Sequence, residues 1–266
     1  MNLPFRVFIL GIAYRFQLLI AKMTKIPIIG KIIYQTVFKT DKLLYLPCDK
    51  TIQINQRITP ESMVLPSQVV KHFIEKANYH WIMDFCICRK SGNCQNYPVE
   101  WGCLFLGEAA TKIDPRIGHR VTKKEALEYA QQCSDAGLIQ LIGKHKIDTL
   151  WLDVGPGNKL LTICNCCPCC CGWTMLPNFS LDIRSKVTKM PGVAVFVSDA
   201  CTGCGVCEEV CFAHAIEIGE KAVITDACVG CGRCVKVCPQ NAIKITVDDE
   251  SIKKSIQHIS EVVDVT

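Results

Sequence analysis

Apolar residues recur at helical spacing between Pro66 and Asn78. In this segment Val69, Val70 and Phe73 lie on one side of a helix, with polar residues between them. Apolar positions three to four residues apart are the period of an amphipathic α-helix. The pattern therefore predicts a helix that buries one face against the rest of the chain.

A second helix is predicted from residue 122 to residue 136. Thr122 can cap its first turn, Glu125 stands three residues on as the partner in a capping box, and Gly137 can end it. Start and stop signals at both ends make this the best-defined helix of the pattern.

Short apolar, β-like runs follow at residues 138–142, 149–154 and 160–163, and Gly155-Pro156-Gly157 separates the last two as a turn. We interpret the three runs as β-strands. Helices followed by such a hairpin resemble a winged-helix unit. A winged-helix-like topology is therefore expected within an α+β fold.

The first forty residues are apolar and basic, with no acidic residue. The run from Val7 to Ile20 contains Arg15, and the run from Ile26 to Phe38 contains Pro27. A spanning helix needs about 20 apolar residues, and a charge at its centre is costly, so neither run is predicted to span. Two interpretations stay open: a helix pair that lies on a membrane surface or docks on a partner, or an arm that completes the core of the body.

Charge is concentrated in the same arm. The whole chain has a formal net charge of +5, and residues 1–50 hold eight basic and two acidic side chains. Residues 51–266 therefore sum to −1. A nearly neutral body gives little support to nucleic-acid binding.

Cysteine is the residue that most narrows the chemistry, with 20 of 266 positions. Disulfide-rich scaffolds are usually short secreted domains, whereas this chain is long and its cysteines are grouped, some of them adjacent, as in Cys166-Cys167. We interpret them as ligands of metals or clusters. Because such thiolates must stay reduced, the expected location is the cytoplasm of an anaerobic or microaerobic cell, peripheral to the membrane if the arm binds lipid.

The sequence repeats itself near its C-terminal end. Residues 200–216 (ACTGCGVCEEVCFAHAI) align with residues 227–243 (ACVGCGRCVKVCPQNAI). Each copy carries Cys-x2-Cys-x2-Cys-x3-Cys, in which three thiolates wrap one [4Fe–4S] cluster and the fourth reaches the other. On this rule the first cluster is bound by Cys201, Cys204, Cys207 and Cys238. The second cluster is bound by Cys228, Cys231, Cys234 and Cys211.

These copies resemble a bacterial-type ferredoxin with two [4Fe–4S] clusters, over roughly residues 190–247. The resemblance implies low-potential carriers of single electrons. Phe212 stands where the second copy has Pro239, a departure that removes no ligand. We also expect a short helix after the fourth cysteine of each copy, and strands at residues 222–225 and 243–247. Zinc knuckles are the alternative, but they normally use paired Cys-x2-Cys motifs.

Two further groups of cysteines precede the repeat. The first group consists of Cys86, Cys88, Cys94 and Cys103. The second group has six cysteines in eight residues: Cys164, Cys166, Cys167, Cys169, Cys170 and Cys171. The first group can supply one set of four thiolates. Six neighbouring cysteines cannot all point at one metal, so the second group is predicted to bind a larger or second cluster, or to share ligation with the first.

The segments CICR…C…GCLFLGEA and ICNCCPCCC, followed by the repeat, resemble a group of iron–sulfur proteins from anaerobic bacteria and archaea. The resemblance covers about residues 45–247 and implies a cofactor type, one or more additional iron–sulfur clusters, rather than a reaction. Structural zinc and thiol–disulfide exchange stay open for this module. Arg89 is either a hydrogen-bond donor toward a cluster or a solvated surface residue, and Cys133 is expected to pack inside its helix.

These patterns predict an α+β chain of four parts. The parts are an apolar basic arm at 1–45, a cysteine-rich iron–sulfur module at 46–188, a two-[4Fe–4S] ferredoxin domain at 189–248 and a tail at 249–266. The predicted function is electron transfer to or from a redox partner protein. The alternatives are an oxidoreductase whose catalytic N-terminal cluster is fed by the ferredoxin and, with less support from charge, a redox-responsive DNA-binding regulator.

Overall fold

The computed structural model describes residues 3–52 and 65–266, and helices and strands mix throughout them. The helices are α1 (Leu3–Arg15), α2 (Gln17–Met23), α3 (Pro27–Ile33), α4 (Ser67–Lys76), α5 (Ile87–Ser91), α6 (Lys123–Asp135), α7 (Lys146–Leu152), α8 (Leu181–Arg184), α9 (Val206–Glu209), α10 (Arg233–Val237) and α11 (Ser251–Ser260). The strands are β1 (Lys42–Tyr45), β2 (His80–Met83), β3 (Leu104–Leu106), β4 (Gly118–Val121), β5 (Ile139–Lys144), β6 (Leu161–Cys166), β7 (Val187–Lys189), β8 (Val193–Val197), β9 (Ile216–Ile218), β10 (Ala222–Ile224) and β11 (Ile243–Val247). The expected mixture of helices and sheets is confirmed.

Within the described residues, the largest sheet has seven strands in the order β4-β2-β3-β6-β5-β1-β7. Its neighbouring strands are antiparallel except for β1 and β7, which run parallel. In the β5–β6 pair, Leu141 lies opposite Cys164 and Ile139 opposite Cys166. The second cysteine group therefore begins on a central strand and continues into the loop that follows it.

The helices predicted at residues 66–78 and 122–136 are both present, as α4 and α6. Helix α4 buries Val69, Val70 and Phe73, as its apolar spacing predicts. At the start of α6 the Glu125 N–H donates to Thr122 Oγ1 at 3.2 Å, and the Thr122 N–H donates to Glu125 Oε2 at 2.7 Å. The predicted capping box is therefore confirmed.

The predicted strands had a mixed outcome. Runs 138–142 and 160–163 lie in β5 and β6, but the run 149–154 is wrong as a strand, because α7 covers most of it. Trp151 and Leu152 are buried whereas Leu150 is 56% exposed, which is helical rather than alternating burial. Because β5 and β6 belong to the seven-stranded sheet, the winged-helix comparison gains no support from the fold.

Two small antiparallel sheets, β8 with β11 and β9 with β10, carry the C-terminal repeat. The predicted helix after each fourth cysteine is wrong, since α9 and α10 come before those cysteines. Gly205 and Gly232 begin the helices with φ of +82° and +79°, a backbone conformation that glycine adopts without strain. After the fourth cysteines, His214 and Asn241 have φ of +49°, which is incompatible with a right-handed helix there.

The described part of the N-terminal arm (residues 3–45) folds back onto the body. Arg6 forms a 2.5 Å ion pair with Asp153, and the Tyr14 hydroxyl donates to the Cys170 carbonyl at 2.6 Å. Farther along, the Phe38 ring packs 5.7 Å from that of Phe179. One side of the arm therefore belongs to the core.

The other side of the arm is apolar and exposed. Its large exposed side chains are Phe5, Phe8, Ile9, Ile12, Phe16, Leu18, Leu19, Ile26, Ile28 and Ile32. Within residues 3–52 and 65–266, no helix combines the length and apolar character needed to cross a membrane. The all-round hydrophobicity of the arm thus serves two surfaces, the body on one side and an uncovered face on the other.

The predicted four-part division stays a prediction, and the core crosses its boundaries. Leu44, Val69, Ile245 and Val265 belong to one buried apolar cluster. The predicted cysteine-rich module also includes residues 53–64, which lie outside the described residues. The arm, both cysteine-bearing parts and the tail are thus packed together.

Candidate metal centres

The first set of repeat cysteines faces one cavity. Cys201, Cys204, Cys207 and Cys238 line one small cavity. The Ala222 N–H donates to the Cys201 Sγ at 3.3 Å, and the Ala242 N–H donates to the Cys238 Sγ at 3.2 Å. Donors of this kind stabilise thiolates. A Cβ on Gly203, where φ is +64°, would stand 2.8 Å from the Gly219 carbonyl oxygen, so the loop can approach closely only with glycine.

The second set faces another cavity. Cys211, Cys228, Cys231 and Cys234 line a second small cavity. The Ala215 N–H donates to the Cys211 Sγ at 3.3 Å, as the Ala242 N–H does to Cys238. The fold thus brings together the same two crossed sets of four that the sequence rule gives. Four thiolates are the donor set that a [4Fe–4S] cluster requires.

Burial acts strongly on the thiols of the second set. It raises the pKa of Cys228 and Cys231, and it raises the pKa of Cys234 to about 12. A thiolate in such surroundings needs a positive partner. Iron bound to the sulfur would supply that charge, since coordination deprotonates a thiol.

The structure divides the N-terminal cysteines differently from their order in the sequence. Cys94, which belongs to the first group in the sequence, lies beside three cysteines of the second group. The sulfur atoms of Cys94, Cys167, Cys169 and Cys170 all lie within 4.8 Å of one another. The first sequence group is therefore not one four-thiolate set. The expectation that the two groups share ligation fits this arrangement.

The other six N-terminal cysteines line one larger cavity, here called the six-thiol cavity. It is lined by the thiols of Cys86, Cys88, Cys103, Cys164, Cys166 and Cys171, with Cys167 at its border, and its volume is about 260 Å³. The Sγ atoms of Cys103 and Cys164 are 3.8 Å apart. Leu10, Tyr14 and Gln17 of the arm line the same cavity, so the arm forms part of its wall.

Arg89 is a fully buried cation in this wall, with 0% of its surface exposed. Its guanidinium donates to the carbonyls of Asn165, at 3.0 Å, and Trp101, while Nε has no hydrogen-bond partner among the described residues. Burial lowers the pKa of Arg89, but the facing thiols of Cys86 and Cys167 outweigh burial and raise it. A buried guanidinium needs a negatively charged partner, and a thiolate-bound cluster would supply one.

A polar network forms another part of the wall. His145 Nδ1 lies 3.2 Å from Asp148 Oδ2, and Nε2 lies 3.7 Å from Asp41 Oδ2. Burial raises the pKa of Asp41 to about 6, opposed by the nearby His145. Burial also lowers the pKa of His145, but Asp148 and Asp41 outweigh it and raise that pKa. The six-thiol cavity therefore has titratable groups beside its sulfur atoms.

Tyr45, Phe212 and Arg233 lie where the ferredoxin-like part contacts the N-terminal cysteines. The Phe212 ring packs 5.4 Å from the Tyr45 ring, and the Arg233 guanidinium lies 4.8 Å from the centre of the Phe212 ring. Arg233 also donates to the Cys166 carbonyl at 3.4 Å. The position where the first repeat departs from the proline of the second therefore supplies the ring at the junction.

Sequence reasoning found the cysteines but missed much of their surroundings. The sequence leaves Arg89 open as a cluster donor or a solvated surface residue, and the structure places it inside the protein. Tyr45, His145 and Arg233 carried no spacing signal of their own. The one visible sign of the junction was the exchange of proline for phenylalanine at position 212.

Comparison with known proteins agrees with this geometry at the C-terminal end. The model of the LdpA Fe-S cluster-binding domain matches residues 206–248, and that of the 4Fe-4S binding domain matches residues 194–217. No curated protein and no solved structure matches the chain. The chain is thus an iron–sulfur protein with a ferredoxin-like region near its C-terminal end.

Proposed function

We propose that this protein transfers single electrons between its ferredoxin-like domain and an iron–sulfur cluster in the six-thiol cavity, and exchanges them with a redox partner protein. The observation that carries the proposal is the packed junction of Tyr45, Phe212 and Arg233. It joins the cavity of Cys231 to the cavity of Cys166 within one apolar core.

Charge coupling across the junction supports this route. Tyr45 is 1% exposed, and burial raises its pKa, with smaller contributions from the thiols of Cys166, Cys171 and Cys231. Thiols from both parts of the molecule thus raise the pKa of the same Tyr45 hydroxyl. Both centres border the same apolar core, an arrangement that suits electron exchange.

The proposed cofactors follow from the thiol sets. Each crossed set of four would hold a [4Fe–4S] cluster, and the six-thiol cavity would hold at least one more iron–sulfur cluster. These clusters supply reversible one-electron chemistry when bound. The chain's own residues ligate them, exclude water from them and, through Arg89 and Arg233, place positive charge beside them.

Rapid-freeze EPR on the anaerobically purified full chain tests the route. After mixing with reduced viologen, we expect the N-terminal cluster to be reduced more slowly in Cys234→Ala, which damages the second ferredoxin cluster, than in the unchanged protein. Cys133→Ala is the control, since Cys133 is buried in helix α6 outside the thiol sets. Equal rates in all three proteins would show that the ferredoxin-like domain does not feed the N-terminal cluster.

The oxidoreductase alternative is favoured by one observation, the His145–Asp148 pair in the wall of the six-thiol cavity. A titratable pair beside a cluster can move a proton to or from a bound molecule. Carbon monoxide binds to iron that has a vacant coordination position, so it tests whether the N-terminal cluster can bind a small molecule. A changed EPR signal of the N-terminal cluster supports catalysis there, whereas an unchanged one leaves electron transfer as its role.

We further propose that the exposed face of the arm lies on an anionic membrane surface. Residues 1–40 carry six basic side chains and no acidic one, and each basic residue near an anionic surface contributes about 1 kcal/mol. Phe8 and Phe16 are 62% and 56% exposed and can enter the interface. Because the arm also lines the six-thiol cavity, removing it whole would disturb two functions together, so point variants test it better.

Phe8→Ser combined with Phe16→Ser should weaken binding to vesicles that contain anionic lipid, and added salt should weaken binding of the unchanged chain. Phe196→Ser is the matched control, since Phe196 is 51% exposed on strand β8. Binding that is equally strong in both variants, or absent from the unchanged chain, would show that this face has another role.

A further inference from the structure

Four N-terminal thiols stand closer together than the ferredoxin thiols. The Sγ atoms of Cys94, Cys167, Cys169 and Cys170 all lie within 4.8 Å of one another, and those of Cys94 and Cys169 are 3.6 Å apart. Over residues 3–52 and 65–266, no other set of three or more cysteine, histidine or carboxylate ligands is as compact. The thiols of the crossed ferredoxin sets line two other cavities and form no group of this compactness.

This spacing has the size of a single-ion site. A tetrahedral ion with metal–sulfur bonds of about 2.3 Å places its sulfur atoms about 3.8 Å apart. A cubane holds its thiolates at outer corners, with four iron atoms between them, and so needs a wider set. Four thiolates at single-ion spacing match a closed tetrahedral site.

The local backbone supports the same conclusion independently. Cys167 to Cys170 form a tight turn, and the Cys170 N–H donates to the Cys167 Sγ at 3.3 Å. The turn lets the adjacent Cys169 and Cys170 point to one place, which an extended chain does not allow. Cys94, Cys169 and Cys170 are absent from the wall of the six-thiol cavity, whereas Cys167 borders both sites.

We propose that Cys94, Cys167, Cys169 and Cys170 bind one tetrahedral divalent ion, Zn²⁺ or Fe²⁺, at a site separate from every cluster. The ion ties the loop after α5 to the turn after β6. It thereby fixes two walls of the six-thiol cavity relative to each other. The site does not depend on the proposed electron transfer, and either proposal can fail without the other.

Elemental and sulfide analysis of the full chain tests the site. Cys94→Ala combined with Cys169→Ala should lose one equivalent of zinc, or one of iron with no sulfide, and keep the ferredoxin EPR signals. The Cys133→Ala control should lose neither. Loss of iron together with an equal amount of sulfide would place a cluster at these residues, and unchanged metal content would remove the site altogether.

X-ray absorption on the unsubstituted holoprotein covers the case in which the double variant does not fold. At the zinc edge we expect four sulfur neighbours at about 2.3 Å. If the ion is iron, zinc is absent, and Mössbauer spectroscopy should show one iron site with four thiolate ligands beside the cluster iron. Nitrogen or oxygen neighbours around zinc would overturn the proposal, and so would iron found only in clusters in a protein that contains no zinc.

Discussion

Replacing Arg89 by glutamine should lower the reduction potential of the N-terminal cluster. Arg89 is fully buried in the wall of the six-thiol cavity, where the thiols of Cys86 and Cys167 face its guanidinium. Reduction adds negative charge to a cluster, and the guanidinium stabilises that charge. Without it, the oxidised state is favoured, so the potential becomes more negative.

The magnitude follows from the charge that is removed. At about 6 Å and an effective dielectric constant of about 20, two unit charges interact with about 3 kcal/mol. The reduction potential of a one-electron couple shifts by about 59 mV for each tenfold change in the equilibrium constant, which corresponds to about 1.4 kcal/mol. The expected shift is therefore on the order of 100 mV toward negative potential.

Potentiometric titration monitored by EPR measures this shift on the anaerobically purified chain. Arg89→Lys is the matched control, because it keeps the charge while losing the planar fork that donates to the Asn165 and Trp101 carbonyls. We expect a small shift in Arg89→Lys, a large one in Arg89→Gln and no shift of the ferredoxin potentials in either. An Arg89→Gln variant with an intact cluster and an unchanged potential would refute the reasoning.

Two further predictions concern the ligands and the polar network. Cys211→Ala should damage the cluster of Cys228, Cys231 and Cys234 and leave the other ferredoxin EPR signal intact, since the structure puts Cys211 in that cavity; loss of the opposite signal would show that ligation is not crossed. Asp41 has its pKa raised from 3.8 to about 6 by burial, so the folded state binds the extra proton between these values and stability falls as pH rises through them. Between about pH 5 and pH 7, the free energy of unfolding should fall by about 1 kcal/mol more in the unchanged chain than in Asp41→Asn. Equal shifts of the thermal midpoint in the two proteins over this range would contradict the prediction.

Local signals were sufficient where one segment determines its own structure. The capping box of α6 and the two crossed cysteine sets needed only residue types at fixed spacing. The helix α7 was missed because its short run of apolar residues fits either period until Leu150 is seen to be exposed. The helix of each repeat was misplaced because positive φ at His214 and Asn241 has no clear sequence signature.

The candidate sites depend on long-range packing that spacing does not encode. Cys94 and Cys169 are 75 residues apart in the chain, yet their sulfur atoms are 3.6 Å apart. Arg233 reaches Cys166 only because the ferredoxin-like part packs beside strand β6. The burial of Tyr45 and Arg89 likewise depends on elements that are distant in sequence. The sequence therefore indicates the type of cofactor, but it does not show how the thiols are divided among the sites.

Iron and acid-labile sulfide counts on the anaerobically purified full chain test the central claim most directly. Two ferredoxin cubanes account for about 8 iron atoms. A redox-active cluster in the six-thiol cavity predicts a total of about 12 or more, with nearly equal sulfide. A total near 8, with the N-terminal cysteines metal-free or bound only to zinc, would contradict the proposal that this cavity takes part in electron transfer.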